Sequence, residues 1–323
     1  MLTQRGLPHE PPSRRPDVLE VYVTRIAEAT RIPPSHIEKD YWVTEVLRGA
    51  AKASSDTGCS VVFKGGTSLS KAHHLIQRFS EDVDLIVVLP AGGAKSKDTT
   101  LKAFVEGAAT ATGLVGETDT ATTTKGVKRT VTFAYPTARE SGVLRSGVMM
   151  ELGTRGGALP QRRLAVQSLI TEHAESVGLP VDFDEAAPVS LLVLEPVRTL
   201  VDKLVLLHHA ATEGDDARRA ATARHYYDVD RLVRNDDVVA QLGDLPIDVI
   251  AREVCEHSRA AGLPTAERPK EGFAASPAWD PKSAAVAAGV YTDLVLPSLV
   301  WPGAPRSVFA ECCERVRSSA DLL

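Results

Sequence analysis

The stretch Val61–Val88, VVFKGGTSLSKAHHLIQRFSEDVDLIVV, constrains this chain more than any other. An apolar strand runs into a Gly-Gly-Thr-Ser turn, a short helix follows, and a second strand carries Asp82 and Asp84. A strand alternates faces with a period of two, so both carboxylates point one way while Val83 and Leu85 point into a core. Two carboxylates this close on one face repel unless a cation sits between them, and a glycine turn opening a helix is a natural seat for phosphate. A lone Gly-Gly turn is usually only a turn, and an Asp-x-Asp on a strand is often a solvated pair. At this spacing the combination predicts a metal–nucleotide site.

The rest of the chain sets bounds on that reading. Its 323 residues suffice for one large domain or two modest ones, and 43% hydrophobic with 24% charged residues is ordinary for a globular protein. No apolar run approaches the roughly 20 residues that span a bilayer. The N-terminus, MLTQRGLPHEPPSRRPD, lacks the apolar core of a secretory signal and reads as a flexible arm over residues 1–16. Cys59, Cys255, Cys312 and Cys313 fit no zinc spacing and read as free thiols of a reducing cytosol, which gives a cytoplasmic expectation. The net charge of −5 argues against a dedicated nucleic-acid coat. Between Lys125 and Arg163, however, stand eight basic residues (Lys125, Lys128, Arg129, Arg139, Arg145, Arg155, Arg162, Arg163) against Glu140 and Glu151. That stretch is either a solvated basic face or a path for a polyanion.

Periodicity predicts an α/β (α+β) protein. Helices are expected over 17–30 and 36–53, the second capped by Ser35, and strands over 60–63, 82–89, 129–135, 147–152 and 189–194. A helix is expected over 98–110 and a connection or edge strand over 120–124. From Pro196 onward the pattern is helical: 197–211, 215–234, 246–261, 282–296 and 305–319. The layout is a mixed sheet within 55–195, grouped with the leading helices as a domain over 17–195, and a helical domain over 196–323.

Further candidates lie outside the opening stretch. Two carboxylates rarely suffice for two-metal phosphoryl chemistry, and Glu151, after the apolar run Val148-Met149-Met150, is the candidate third ligand. Lys203 lies beside the stripe Leu200, Leu204, Leu207 and Ala211, with Arg198 earlier on the same helix. A cation there commonly snorkels, so the pattern alone leaves a triphosphate ligand and a solvated lysine both open. His208 and His209 read as packing or surface residues. In Ala223–Leu232, ARHYYDVDRL, Arg224 and Asp228 are one turn apart and could form an ordinary ion pair.

Taken together, these segments resemble a known family. Lys64-Gly65-Gly66-Thr67-Ser68-Leu69 with Arg78-Phe79-Ser80-Glu81-Asp82-Val83-Asp84-Leu85 resembles the first motif of the AbiEii/AbiGii nucleotidyltransferase toxins of type IV toxin–antitoxin systems. Ile37-Glu38-Lys39-Asp40-Tyr41-Trp42-Val43 is similar to their N-terminal helix signature. Val197-Arg198-Thr199-Leu200 with Lys203-Leu204 is similar to their lysine motif, although Leu200-Val201-Asp202 stands where aromatics are common. Arg224-His225-Tyr226-Tyr227-Asp228 is similar to their last motif.

The resemblance spans roughly residues 36–320 and implies a DNA polymerase β-like nucleotidyltransferase fold: a mixed sheet flanked by helices, closed by a helical C-terminal half. It implies that Asp82 and Asp84 hold Mg2+ (or Mn2+), with Glu151, placed at its strand end, the expected third ligand. It further implies that Gly65, Gly66, Thr67, Ser68 and Lys203 bind the nucleotide and that Asp228 completes a pair with Lys203, either orienting it or positioning the acceptor; Arg198, earlier on the Lys203 helix, is a further expected nucleotide ligand. The implied activity is transfer of a nucleoside monophosphate from an NTP to an acceptor hydroxyl, with the 3′ end of tRNA as leading acceptor, and with growth arrest, phage defence and an antitoxin partner as the setting. Nucleotidylation of a protein hydroxyl is the alternative among enzymes, and a non-catalytic nucleotide-binding module the alternative of another class.

Overall fold

A computed structural model describes residues 12, 15–89, 91–139, 142–153, 157–213, 215–244, 246–260 and 262–323. Most of the expected N-terminal arm, together with Glu140 and Arg155, lies outside the described residues. The strand β1 (Val61–Lys64) enters α3 (Gly65–Lys71), and β2 (Asp82–Val87) returns antiparallel to β1, with Lys64 opposite Asp84. The α/β class and the helical C-terminal half expected from the sequence are both present.

Neighbouring strands complete a mixed sheet. β5 (Val148–Gly153) and β7 (Val189–Leu194) pair parallel to β2 and β1 respectively, while β3 (Gly116–Thr118), β4 (Lys128–Phe133) and β6 (Gln161–Val166) add antiparallel flanks. The seven strands run in the order β3-β4-β5-β2-β1-β7-β6. Alternation divides the two faces. Val83, Leu85, Val87, Met150 and Leu152 join the main core, whereas Asp82, Asp84, Met149 and Glu151 share the opposite face. Sequence reading missed β3 and β6. β6 reads QRRLAV, with two adjacent arginines where a strand signal needs an apolar residue; Thr120–Thr124 is the connection, the first of its two expected forms, with a single bridge at Thr124.

The helices α1 (Pro16–Thr30), α2 (Pro34–Thr57), α4 (Ala94–Thr112) and α5 (Leu169–His173) cover the apolar face. α2 and α4 cross so closely that a Cβ on Gly49 would lie 2.5 Å from the Ala108 Cα. α2 begins at Pro34, whose fixed φ suits a first turn, so Ser35 does not act as the cap. Glu38, Lys39, Asp40 and Glu45 of α2 are buried and paired, and two of these pairs reach the α3–β2 connection. Lys39 donates to Glu81 Oε2 at 2.5 Å, and Lys71 donates to Asp40 Oδ1 at 2.5 Å. The IEKDYW segment thus ties the leading helices to both ends of the α3–β2 connection.

The helical half has its own core, built on Leu200, Leu204, Tyr227, Trp279 and Tyr291. Its helices are α6 (Pro196–Glu213), α7 (Asp216–Thr222), α8 (Arg224–Val233), α9 (Asp236–Asp244), α10 (Ile247–Ala260), α11 (Ala285–Val290) and α12 (Phe309–Ser318), with a π-helical segment over Tyr291–Leu299. The single helix expected over 215–234 is broken at Ala223 by a tight i→i+3 turn. The helix expected over 282–296 starts late, because Asp280 Oδ1 takes the Lys282 and Ser283 N–H groups into a turn, and it ends wide, with Pro297 inside its last segment. Asp230, fully buried, accepts from Arg234, Arg315 and Ser307 and so pins α8 to α12. Backbone bonds from Phe79 N–H to the Leu299 carbonyl (2.8 Å) and from Trp301 N–H to the Gln77 carbonyl (3.0 Å) join the two halves. Among the described residues no helix is long and apolar enough to cross a membrane.

Candidate functional site

The polar face of β2 and β5 forms the floor of a cleft of about 310 Å³, roofed by α6, α8 and α10. The parallel register sets Asp84 beside Glu151 and Asp82 beside Met149. Asp82 is 7% exposed, and its Oδ1 has no hydrogen-bond partner; the Arg145 guanidinium stands 3.8 Å away. Its Oδ2 accepts from Arg224 at 3.2 Å, so among the described residues only Oδ1 of this carboxylate lacks a hydrogen bond. Burial first, opposed by Lys64 and reinforced by Glu151 and Asp82, pushes the Asp84 carboxyl up to about 6. These two carboxylates fit a divalent cation. They offer a buried Asp82 oxygen without a hydrogen bond and an Asp84 carboxylate whose ionisation is opposed by burial, Glu151 and Asp82, and a cation would relieve both.

Glu151 faces the same cleft, but its carboxylate is held by Lys128 Nζ at 2.8 Å. Among the described residues no three His, Cys, Asp or Glu side chains form a group able to hold a metal. The expected triad is therefore a pair plus a neighbour already engaged by a lysine.

The glycine turn owes its composition to Asp84. Gly65 has φ +80°, and a Cβ there would lie 2.3 Å from Asp84 Oδ2. Gly65→Ala is expected to displace the Asp84 carboxylate. Stability in urea unfolding should fall by about 1 kcal/mol, while nucleotide-dependent activity falls as far as in Asp84→Asn. The hydroxyls of Thr67 and Ser68 serve the turn itself. Thr67 Oγ1 donates to the Asp82 carbonyl at 2.5 Å, and Ser68 Oγ donates to the Gly65 carbonyl at 2.9 Å. Only Gly65 and Gly66 of the four face the cleft.

On the roof, Asp228 of α8 is fully buried between two cations. Arg78 donates to it through Nε and Nη2, each at 2.6 Å, and Lys203 Nζ of α6 lies 2.8 Å from Oδ2. Burial alone would raise this carboxyl, yet the charges of Arg78 and Lys203 outweigh it and hold it well below the usual carboxylate range. Burial lowers Lys203, against the pull of Asp228. His225 completes the group, its Nδ1 3.2 Å from Lys203 Nζ. Burial first and Lys203 next push the imidazole down to about 3, so it stays neutral and accepts from the lysine.

That depression has a sign. Between about pH 3 and 6.5 an unfolded histidine takes a proton that folded His225 refuses, so its contribution to stability falls as pH drops below 6.5. His225→Gln is expected to flatten the decline in stability between pH 7.5 and 5.5 by about 1 kcal/mol. Urea unfolding at both pH values measures it.

Several placements differ from the sequence expectations. Arg224 pairs with Asp82 across 142 residues instead of with Asp228 on its own helix. Arg198 does not line the cleft; it is buried against Glu253 Oε2 (2.5 Å) and the Leu159 carbonyl (3.1 Å). The basic excess over 125–163 is partly neutralised, since Lys128, Arg129, Arg139 and Arg162 pair with Glu151, Asp98, Glu38 and Glu195. Arg145, 61% exposed in its side chain, remains at the cleft mouth. Sequence reading quoted Arg78 within a motif but gave it no role, because its partner lies 150 residues away.

No curated protein matches the chain. Among solved structures, MenT4, a nucleotidyltransferase toxin from Mycobacterium tuberculosis H37Rv, is similar over 98% of this chain and 97% of its own, at 17% identity and a TM-score of 0.38. The sequence model of the family described as nucleotidyl transferase AbiEii toxin, type IV TA system, matches residues 47–298, most of the chain, and the chain belongs to that family.

Proposed function

We propose that this toxin transfers a nucleoside monophosphate from an NTP to an acceptor hydroxyl, the 3′ end of tRNA, and so blocks translation and growth. One observation carries the reading. A single cleft places the Asp82–Asp84 pair of the sheet opposite the buried Lys203–Asp228–Arg78 group of the helical half. Anionic donors on one wall and a fixed cation on the other suit a triphosphate whose charge is shared between metal and lysine.

Asp82 and Asp84 would hold the divalent cation, Mg2+ or Mn2+, and Glu151 would join them on release from Lys128. When bound, the cation neutralises phosphate charge and lowers the pKa of an oxygen nucleophile. The chain's own residues do the rest. Gly65 and Gly66 admit phosphate close to the backbone. Lys203 offsets negative charge on the departing pyrophosphate, and Asp228, itself fixed by Arg78, aims that lysine. In the transfer the acceptor oxygen bonds to the α-phosphorus, the bond to the β-phosphate oxygen breaks, and the hydroxyl proton leaves to solvent. In this reading residues 17–195 supply the carboxylates and residues 196–323 the cationic roof, in a cytoplasmic enzyme restrained by a cognate antitoxin.

Sequencing of tRNA 3′ ends after brief expression tests the acceptor. Added nucleotides that vanish with Asp84→Asn support tRNA. Growth arrest with unaltered tRNA ends and labelled protein bands would instead make a protein the target, and full toxicity of Asp82→Ala would point to a non-catalytic module.

A further inference from the structure

The cleft is lined by two chemically different sets of residues. Where it runs between α6 and α10 it is lined by Leu206, Val254 and Pro264, with Thr199, Ser258 and Thr265 supplying polar atoms. On α6, Thr199, Lys203 and Leu206 fall at i, i+4 and i+7 and so share one face. Val254 and Ser258 likewise lie one turn apart on α10, and both are buried. Thr199 is 2% exposed, and its hydroxyl has no hydrogen-bond partner among the described residues. A buried hydroxyl without a partner forfeits the hydrogen bonds it would make in water, a cost that a bound polar group would remove.

We propose that this stretch of the cleft is the nucleobase subsite of the triphosphate site, and that Thr199 is the residue that reads the edge of the base. The inference rests on the NTP reading above. Apolar walls flank a flat ring, and a few fixed polar groups select among rings; that is the composition of a small-molecule specificity pocket. The spacing agrees. One turn of α6, about 6 Å, separates Thr199 from the lysine at the phosphate end, on the order of the ribose that separates a base from its phosphates. A threonine hydroxyl both donates and accepts, so it favours whichever base edge completes its pair.

The test uses the full chain and reads binding apart from transfer. Affinities of ATP, GTP, CTP, UTP and inorganic tripolyphosphate are measured by calorimetry for wild type, Thr199→Ser, Thr199→Val and Val254→Trp. Wild type is expected to rank the four NTPs and to bind each more tightly than tripolyphosphate. Thr199→Val should shrink the gap between best and worst NTP about tenfold, the worth of one lost hydrogen bond, and Thr199→Ser should restore it. Val254→Trp should weaken all four NTPs while leaving tripolyphosphate unchanged. An unaltered ranking in Thr199→Val, or parallel loss of tripolyphosphate and NTPs in Val254→Trp, would overturn the proposal. Base-ranked binding without any transfer would overturn the proposed activity alone, and absence of all nucleotide binding would overturn both.

Discussion

Asp84→Asn is expected to lower nucleotidyl transfer by about a thousandfold, the scale of losing a charge-stabilising group at a reaction centre, while making the metal-free protein more stable. The two effects share a cause. Asp84 ionises against burial and against Glu151 and Asp82, and its folded pKa of about 6 lies above the unfolded value near 3.9. A raised acid contributes stability at low pH that is lost as pH climbs through this window, so above pH 6 the ionised carboxylate is a liability. Asparagine removes it, and a gain of about 1 kcal/mol is expected at pH 8. The comparison should reverse with saturating Mg2+, which stabilises wild type by binding the native state and has less to bind in the variant. Urea unfolding with and without Mg2+ measures both signs. A variant less stable than wild type in the absence of metal would mean that the pair is not mutually strained.

Asp228→Ala should be the most damaging single substitution for the fold. It leaves Arg78, 1% exposed, and Lys203, 3% exposed, buried without a counter-charge. Breaking a buried pair on one side costs about 3–5 kcal/mol. Removing one cation as well should recover part of that cost, so Asp228→Ala/Lys203→Met is expected to be more stable than Asp228→Ala alone. Stability held by Asp228 is present above its unfolded pKa and is lost as pH falls below about 4, because the folded carboxyl is depressed. A cost under about 1 kcal/mol for Asp228→Ala would mean that the group is solvated in solution and does not bind the two halves.

Much of the fold was legible because its strongest signals are local. β2 announces itself by alternation, and α6 by its apolar stripe. The α3 turn is marked by paired glycines, one of which must avoid Asp84. What stayed hidden depended on distant partners. Nothing near Arg78 reveals a carboxylate 150 residues away, and nothing near Arg224 says that a turn at Ala223 aims it at Asp82. Arg198 was read as a nucleotide ligand from its motif, yet its guanidinium meets Glu253 on α10, an element that no local pattern sets beside it. The basic run from Lys125 to Arg163 looked like a polyanion path in one dimension; in three, Lys128, Arg129, Arg139 and Arg162 pair with acids, three of them from outside the run. Glu151 shows the same limit, since register brought it to Asp84 and also brought Lys128 to it.

The most direct measurement is incorporation of label from each of the four α-labelled NTPs into total cellular RNA, in Mg2+ and separately in Mn2+, by wild type and by Asp84→Asn. Label should enter RNA of tRNA size with at least one NTP and should be absent with Asp84→Asn. No label in RNA with any of the four in either metal would contradict RNA nucleotidyl transfer at the Asp82–Asp84 cleft.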